Sequence, residues 1–310
     1  MKKFSALILC FALLLTLISC YDFADGVSNG GYTFVDDLGR TVTVTEKDKI
    51  AACHASFADC FLLSGGKLSG VTSDAIDDHG LKVGDAKIIG SAKTVNKEAL
   101  VASGATVALL SADLVAHIEL KAPLEALGIK CIYFRVDTFA DYSRVMEHLT
   151  NITGRKDLYH THVTLVGERI NEIKAKIPES ESRTVLLMRA YSSGIKAKSD
   201  DNLAGLILKE FGLKNLADLN PSLLEDMSLE YIVSEDPDVI MVLTMGSEDA
   251  ALVYLKSNFE SNPAFSSLSA VKAQNYHVLP KNLFHYKPHE RWDESYEHIA
   301  KLLYPSIFTE

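Results

Sequence analysis

The sequence predicts an α/β protein of two Rossmann-like lobes, each built on a mostly parallel sheet, joined by one long rigid α-helix with a ligand cleft between them. Three observations carry this reading. From Lys49 to Thr153, short apolar runs of strand character alternate with helix-like segments, the rhythm that builds a parallel sheet covered on both faces. The rhythm then stops for one stretch of helical periodicity, Lys156 to Ile177, broken by no Pro and only by Gly167. Beyond it the strand–helix pattern resumes, and 310 residues suffice for two cores.

The chain opens with Lys2 and Lys3 and an apolar run from Phe4 to Ile18. A membrane span needs about 20 predominantly apolar residues. This run has about 15, which with the basic pair ahead of it suits a secretory leader. It ends in Leu17-Ile18-Ser19-Cys20, which resembles the lipobox of bacterial lipoproteins. That resemblance implies cleavage before Cys20 and lipidation of its thiol, and two acyl chains are enough for stable anchoring. Residues 1–19 are read as a signal peptide. Residues 20–31, rich in Gly, Asp, Asn and Ser, are read as a lipidated flexible tether. The protein is expected outside the cell membrane, held to its outer face through Cys20.

With 47% hydrophobic and 23% charged residues the composition is that of an ordinary globular protein. Asp and Glu number 41 against 31 Lys and Arg, and losing Lys2 and Lys3 takes the formal net charge from −10 to −12. No basic footprint is visible, which excludes nucleic acid as a partner. Without Cys10 and Cys20, the remaining Cys53, Cys60 and Cys131 are odd in number and sit among apolar neighbours, so they read as buried free thiols.

The N-terminal lobe, residues 32–153, begins with "YTFVDDLGRTVTV", two alternating runs around Asp37-Leu38-Gly39 that read as a hairpin with Gly at the turn. Strand character follows at 49–53, 68–73, 87–90, 107–112 and 130–136, with helical patterns near 57–64, 96–103, 115–127 and 140–152. The backbone helix is assigned to residues 154–178. Val163, Val166, Ile170, Ile173 and Ile177 recur along it at three- and four-residue spacing, giving one helix of about 22 residues and roughly 33 Å. The C-terminal lobe, 179–310, places strands at 184–191, 238–244 and 276–280, a helix around 203–211 and a closing helix from Arg291 to Leu303.

In that order, four segments resemble the class III, helical-backbone substrate-binding proteins of ABC importers, the family of ferric siderophore, cobalamin and haem receptors. They are "VDDLGRTVTV", "TVNKEALVASGATVALLSA", "MSLEYIVSEDPDVIMV" and "NLFHYKPHERWDESYEHIAKLLYP". The resemblance implies a binding protein rather than an enzyme, with no intrinsic cofactor and an iron or cobalt complex as cargo. It implies partners too: an ABC permease with its ATPase subunits, met by a monomer. It further implies that Glu98 in "NKEAL" and Glu230 in "SLEYI", one per lobe, dock on permease arginines.

Ligand loops are expected at the carboxyl ends of strands, which nominates His54, Asp74 and Asp113 in the first lobe. In the second lobe the candidates are Met188, Arg189, Tyr191, His285 and Tyr286. Arg189 suits anionic oxygens, Tyr191 and Tyr286 a flat ligand, and His54 and His285 a metal centre. No particular metal is implied. Trp292 and Tyr296, one turn apart, read as packing, and "SDAIDDHG" (73–80) as a solvated loop. Two other functions fit less of the chain. One is a receptor for bare zinc or manganese, which asks for three or four converging ligands. The other is a metal chelatase acting on tetrapyrroles, an enzyme of similar bilobal plan.

Overall fold

A computed structural model describes residues 26–28, 30–285 and 289–308. The residues read as a leader, Cys20 and Tyr286 lie outside the described residues.

The first layer is an antiparallel sheet of Gly26–Ser28, Gly31–Val35 and Thr41–Val44. The last two strands form the expected hairpin, with Gly39 at φ +73° in its turn, a conformation glycine adopts without a Cβ penalty. The buried Asp36 carboxylate fastens this hairpin to the lobe. It accepts the backbone N–H groups of Leu38, Arg40 and Tyr133 and pairs with the Arg40 guanidinium at 2.6 Å.

The N-lobe sheet is fully parallel, in the order Lys130–Phe134, Val107–Ser111, Ile50–Ala52, Leu68–Val71, Lys87–Ile88. From Ile50–Ala52 the chain steps outward to Lys87–Ile88, then returns to the other side of Ile50–Ala52 with Val107–Ser111. That reversal opens a crevice at the carboxyl ends of the two central strands, the place where open α/β sheets bind ligands. The helix read over 115–127 comes as two pieces, Val115–Glu119 and Lys121–Ala126. Pro123 explains the break, since it cannot donate to the carbonyl of Glu119 four residues back.

Between the lobes the helix Phe139–Thr153 stops at Gly154, φ +73°. Helical structure restarts at Lys156–Tyr159, passes through a π turn at His160–Thr164 and ends with Leu165–Lys174, about 28 Å in all. Val163, Val166, Ile170 and Ile173 are buried, as the spacing predicts. Two features differ from the uniform α-helix to Ile177. The π turn is one. The other is an early end, because Pro178 drives the residue before it out of the α region.

The C-lobe sheet runs Gly194–Ala197, Thr184–Tyr191, Val239–Thr244, Tyr276–Val278, antiparallel only at its first pair, with Lys214–Asn215 added parallel beside Thr184–Val185. The closing helix Trp292–Leu303 lies against the interlobe helix, tied by Arg169–Glu297 at 3.1 Å. One apolar core is continuous from the hairpin through the first sheet and the interlobe helix into the second lobe. The fold class is the one predicted. Cys53, Cys60 and Cys131 are buried and form no disulfide among the described residues.

Candidate functional site

Two cavities open into the cleft, and consecutive residues of one segment line them, Val136 the first and Asp137 and Thr138 the second. The N-lobe cavity, about 150 Å³, is walled by His54, Phe57, Cys60, Ser111, Asp113, Val136 and Tyr142 among others. His54, two residues beyond Ile50–Ala52, and Ser111, the last residue of Val107–Ser111, reach it from the carboxyl ends of the two central strands. The C-lobe cavity, about 480 Å³, is walled by Asp137, Thr138, Arg189, Asp200, Asp201, Asn202, Phe284, His285 and Trp292 among others.

His54 is the N-cap of the helix Ala55–Leu63, and its Nδ1 accepts the Ser56 N–H at 3.2 Å. Asp74, nominated as a cleft residue within a stretch read as a solvated loop, lines neither cavity and holds backbone in place. It begins a short helix, Asp74–Asp77, and its carboxylate accepts the N–H groups of Ala55 at 3.3 Å and Ala92 at 3.1 Å. His117, fully buried, accepts the Ser111 N–H at Nδ1 and donates from Nε2 to the Ala92 carbonyl. These bonds fix the cavity floor. Asp113 is exposed and paired with Arg135 at 2.5 Å.

Along Thr184–Tyr191 the side chains alternate. Leu187 faces the interlobe core, whereas Leu186, Met188 and Ala190 fill the far core of the C-lobe. Met188 is fully buried there, which corrects its nomination as a cleft residue: strand parity points it away. Arg189, on the Leu187 face, does line the cavity, and its buried Nε has no acceptor among the described residues. Tyr191, half-buried at the strand's end, lines neither cleft cavity. Asp200 and Asp201 are held by Lys209 at 2.5 Å and by Lys198. His285 sits in the wall with its pKa pushed down to about 4 by burial and by the nearby Lys281 and Arg189 charges, so its imidazole is neutral at pH 7.

Trp292 was read as packing, and it does pack, within 5.9 Å of both Phe139 and Tyr142. It also walls the C-lobe cavity, and its buried Nε1 has no acceptor among the described residues. Far from the cleft, Glu98 and Glu230 stand exposed in the first turns of helices Lys97–Ala102 and Leu229–Glu235, capped by Asn96 and Ser228. Among the described residues no three His, Cys, Asp or Glu side chains gather to hold a metal ion, and no helix is long and apolar enough to cross a membrane.

Residues 50–283, spanning both halves of this cleft, match the periplasmic binding protein family. The chain belongs to that family. The Fe(3+)-citrate-binding protein YfmC of Bacillus subtilis is 22% identical over 244 residues, 76% of this chain and 74% of that protein. The solved triscatecholate siderophore binding protein FeuA from Bacillus subtilis, complexed with ferri-bacillibactin, aligns with a TM-score of 0.66 at 21% identity. That alignment covers 87% of this chain and 97% of FeuA. IsdE of S. aureus, complexed with heme, aligns at 0.65 with 16% identity over 83% of this chain and 99% of its own. The family drawn from the four sequence segments is therefore the one found, and its fold is the fold of these binding proteins.

Proposed function

We propose that this chain is the lipid-anchored receptor of an ABC importer, capturing an anionic ferric chelate between its lobes and delivering it to a membrane permease with its ATPase subunits. The observation that carries the reading is Arg189. Its guanidinium lines a cavity of about 480 Å³ whose acidic neighbours Asp200 and Asp201 are already held by lysines, and its Nε lacks an acceptor among the described residues. A buried donor left unmet costs about 1–3 kcal/mol. An oxyanion entering the cavity recovers that cost through charge-assisted bonds.

The named relatives favour iron over cobalt, since YfmC is named for ferric citrate and FeuA and IsdE hold ferri-bacillibactin and heme. A receptor for bare zinc or manganese would want converging ligands, which the described residues do not gather. In this reading Cys20 carries the lipid, and Glu98 and Glu230 meet the permease. Residues 32–153 and 179–310 are the lobes of a monomer, with 154–178 as the backbone helix between them. Calorimetry with ferric citrate, ferri-bacillibactin, haem and zinc chloride tests it. A ferric chelate is expected to bind, and Arg189→Ala to weaken it by on the order of 1.5–3 kcal/mol, roughly ten- to hundredfold. A protein that takes zinc chloride alone, or Arg189→Ala with unchanged chelate affinity, contradicts the reading.

A further inference from the structure

Residues 20–31 read as a flexible tether, yet Gly26–Ser28 is a strand. It pairs antiparallel to Gly31–Val35, with Gly26 beside Thr33 and Ser28 beside Gly31. Only residues 21–25 then separate Cys20 from the sheet, a reach of at most about 22 Å. The register also gives a direction. Gly31–Val35 runs toward the hairpin turn at Asp37-Leu38-Gly39. The strand beside it runs away from that turn, so the chain enters Gly26 from the turn's side.

The turn lies at the carboxyl end of the N-lobe sheet. Asp37 donates its N–H to the Tyr133 carbonyl, and its carboxylate accepts the Arg135 N–H at 2.6 Å, just past the end of Lys130–Phe134. The Arg135 guanidinium pairs with Asp113 in the wall of the N-lobe cavity. Glu98 belongs to the same end. Asn96, the cap of its helix, donates its N–H to the carbonyl of Ile89, whose own N–H reaches Val71 at the end of Leu68–Val71.

Apolar side chains stand exposed at this end: Val35 and Leu38 on the hairpin, and Val115, two residues beyond Asp113, at 69%. They are too few to hold a free protein on a bilayer, since even one myristoyl chain binds only marginally. An anchor raises their concentration at the bilayer, so a contact weak by itself can set orientation. Val101 and Leu127 are exposed toward the amino end of the sheet, and it is the tether's direction that decides between the two ends.

We infer that the carboxyl-end face of the N-lobe, from the hairpin turn to Val115, is a membrane-resting surface. Its occupant is the lipid bilayer, and the short tether holds the N-lobe cavity and Glu98 toward it. This rests on the lipid-anchor reading above and goes beyond it.

Energy transfer to the membrane surface tests it. Cys53, Cys60 and Cys131 are buried, so a cysteine introduced at an exposed site can be labelled selectively. The full lipidated chain, with a donor dye on Glu98→Cys or on Leu127→Cys, is placed on phosphatidylcholine vesicles carrying a rhodamine-headgroup lipid. Transfer is expected to be several-fold stronger from position 98. A Gly/Ser insert of about twenty residues between Asp25 and Gly26 should bring the two values together. Val35→Ser with Leu38→Ser and Val115→Ser should narrow the difference as well. Equal transfer from the two positions, or stronger transfer from position 127, would overturn the inference while leaving the anchor standing. A difference unmoved by the serine substitutions would overturn the lipid contact. Cys20→Ala should leave the vesicles; if it is retained as the parent is, the lipid-anchor reading fails and the inference with it.

Discussion

Asp36 shows how one buried side chain holds a distant element in place. Its carboxylate serves three backbone amides, from Leu38, Arg40 and Tyr133, besides the Arg40 guanidinium. Tyr133 lies in Lys130–Phe134, the edge strand of the N-lobe sheet, so the hairpin caps that edge through this residue and blunts it against foreign strands. Asp36→Ala strands Arg40 and the amides together, and breaking a buried pair costs about 3–5 kcal/mol. Urea unfolding should show a loss of that size; a loss below about 1 kcal/mol would mean the hairpin is held by its apolar face alone. At this scale the sequence was partly legible. Arg189 could be chosen from its charge and its strand. Met188 beside it was misplaced because a strand's inward face depends on a one-residue parity that composition does not set. Trp292 could not be seen at the cleft, since its spacing with Tyr296 matches a buried helix stripe equally well.

Among the elements, the interlobe helix is the one whose outline was legible and whose interior was not. Its apolar spacing predicts the buried face, but a π turn changes the period over only a few residues, too short a stretch for periodicity to register. The structure supplies a reason for its place. Tyr142, in the wall of the N-lobe cavity, donates from its hydroxyl to the carbonyl of His162 inside the π turn at 3.2 Å. Tyr142→Phe removes that bond and should cost about 1 kcal/mol of stability. Amide exchange over residues 160–166 should speed up while exchange in Val107–Ser111 stays slow. Unchanged exchange in the π turn would show that the backbone holds it without the tyrosine. The two helices Val115–Glu119 and Lys121–Ala126 show the reverse case, since Pro123 was in plain view and marks their boundary by its missing N–H.

Over the whole molecule, four strongly shifted groups shape the acid response, beside His79, His117, His277 and His298, whose pKa values burial also lowers. Asp48 is pushed up by burial but held at about 2 by hydrogen bonds from Lys130, Thr45 and Thr106. Glu181, likewise resisted by burial, is held at about 2 by Arg183 and Tyr304. Both pKa values lie below their ordinary ones, so as pH falls the unfolded chain takes these protons first and stability drops from about pH 4.5 toward 2. His285, depressed to about 4 by burial and the nearby Lys281 and Arg189 charges, removes stability as pH falls from 6.5 to 4. Asp59, raised to about 7 by burial and by Glu290, binds its proton in the folded state first and adds stability as pH falls from 7 to 3.8. The last two oppose each other. The four other lowered histidines act with His285, so urea midpoints should fall gently between pH 7 and 4 and steeply below 4. His285→Asn should make the fall between pH 7 and 4 shallower than in the unsubstituted protein; an unchanged slope for that variant would contradict the assignment.

The two lobes share one apolar core across the interlobe helix, so the cleft is largely preformed and little reorganisation is needed to fill it. Trp292 is the sole tryptophan and lines the C-lobe cavity, which makes its fluorescence a direct reporter of occupancy. Titration with ferric citrate and ferri-bacillibactin, beside zinc chloride as the bare-ion control, is the most direct test of capture between the lobes. The account predicts saturable, one-to-one quenching by a ferric chelate that Arg189→Ala shifts to higher concentration, with no response to zinc. Quenching by zinc chloride alone, or by neither chelate, would contradict it.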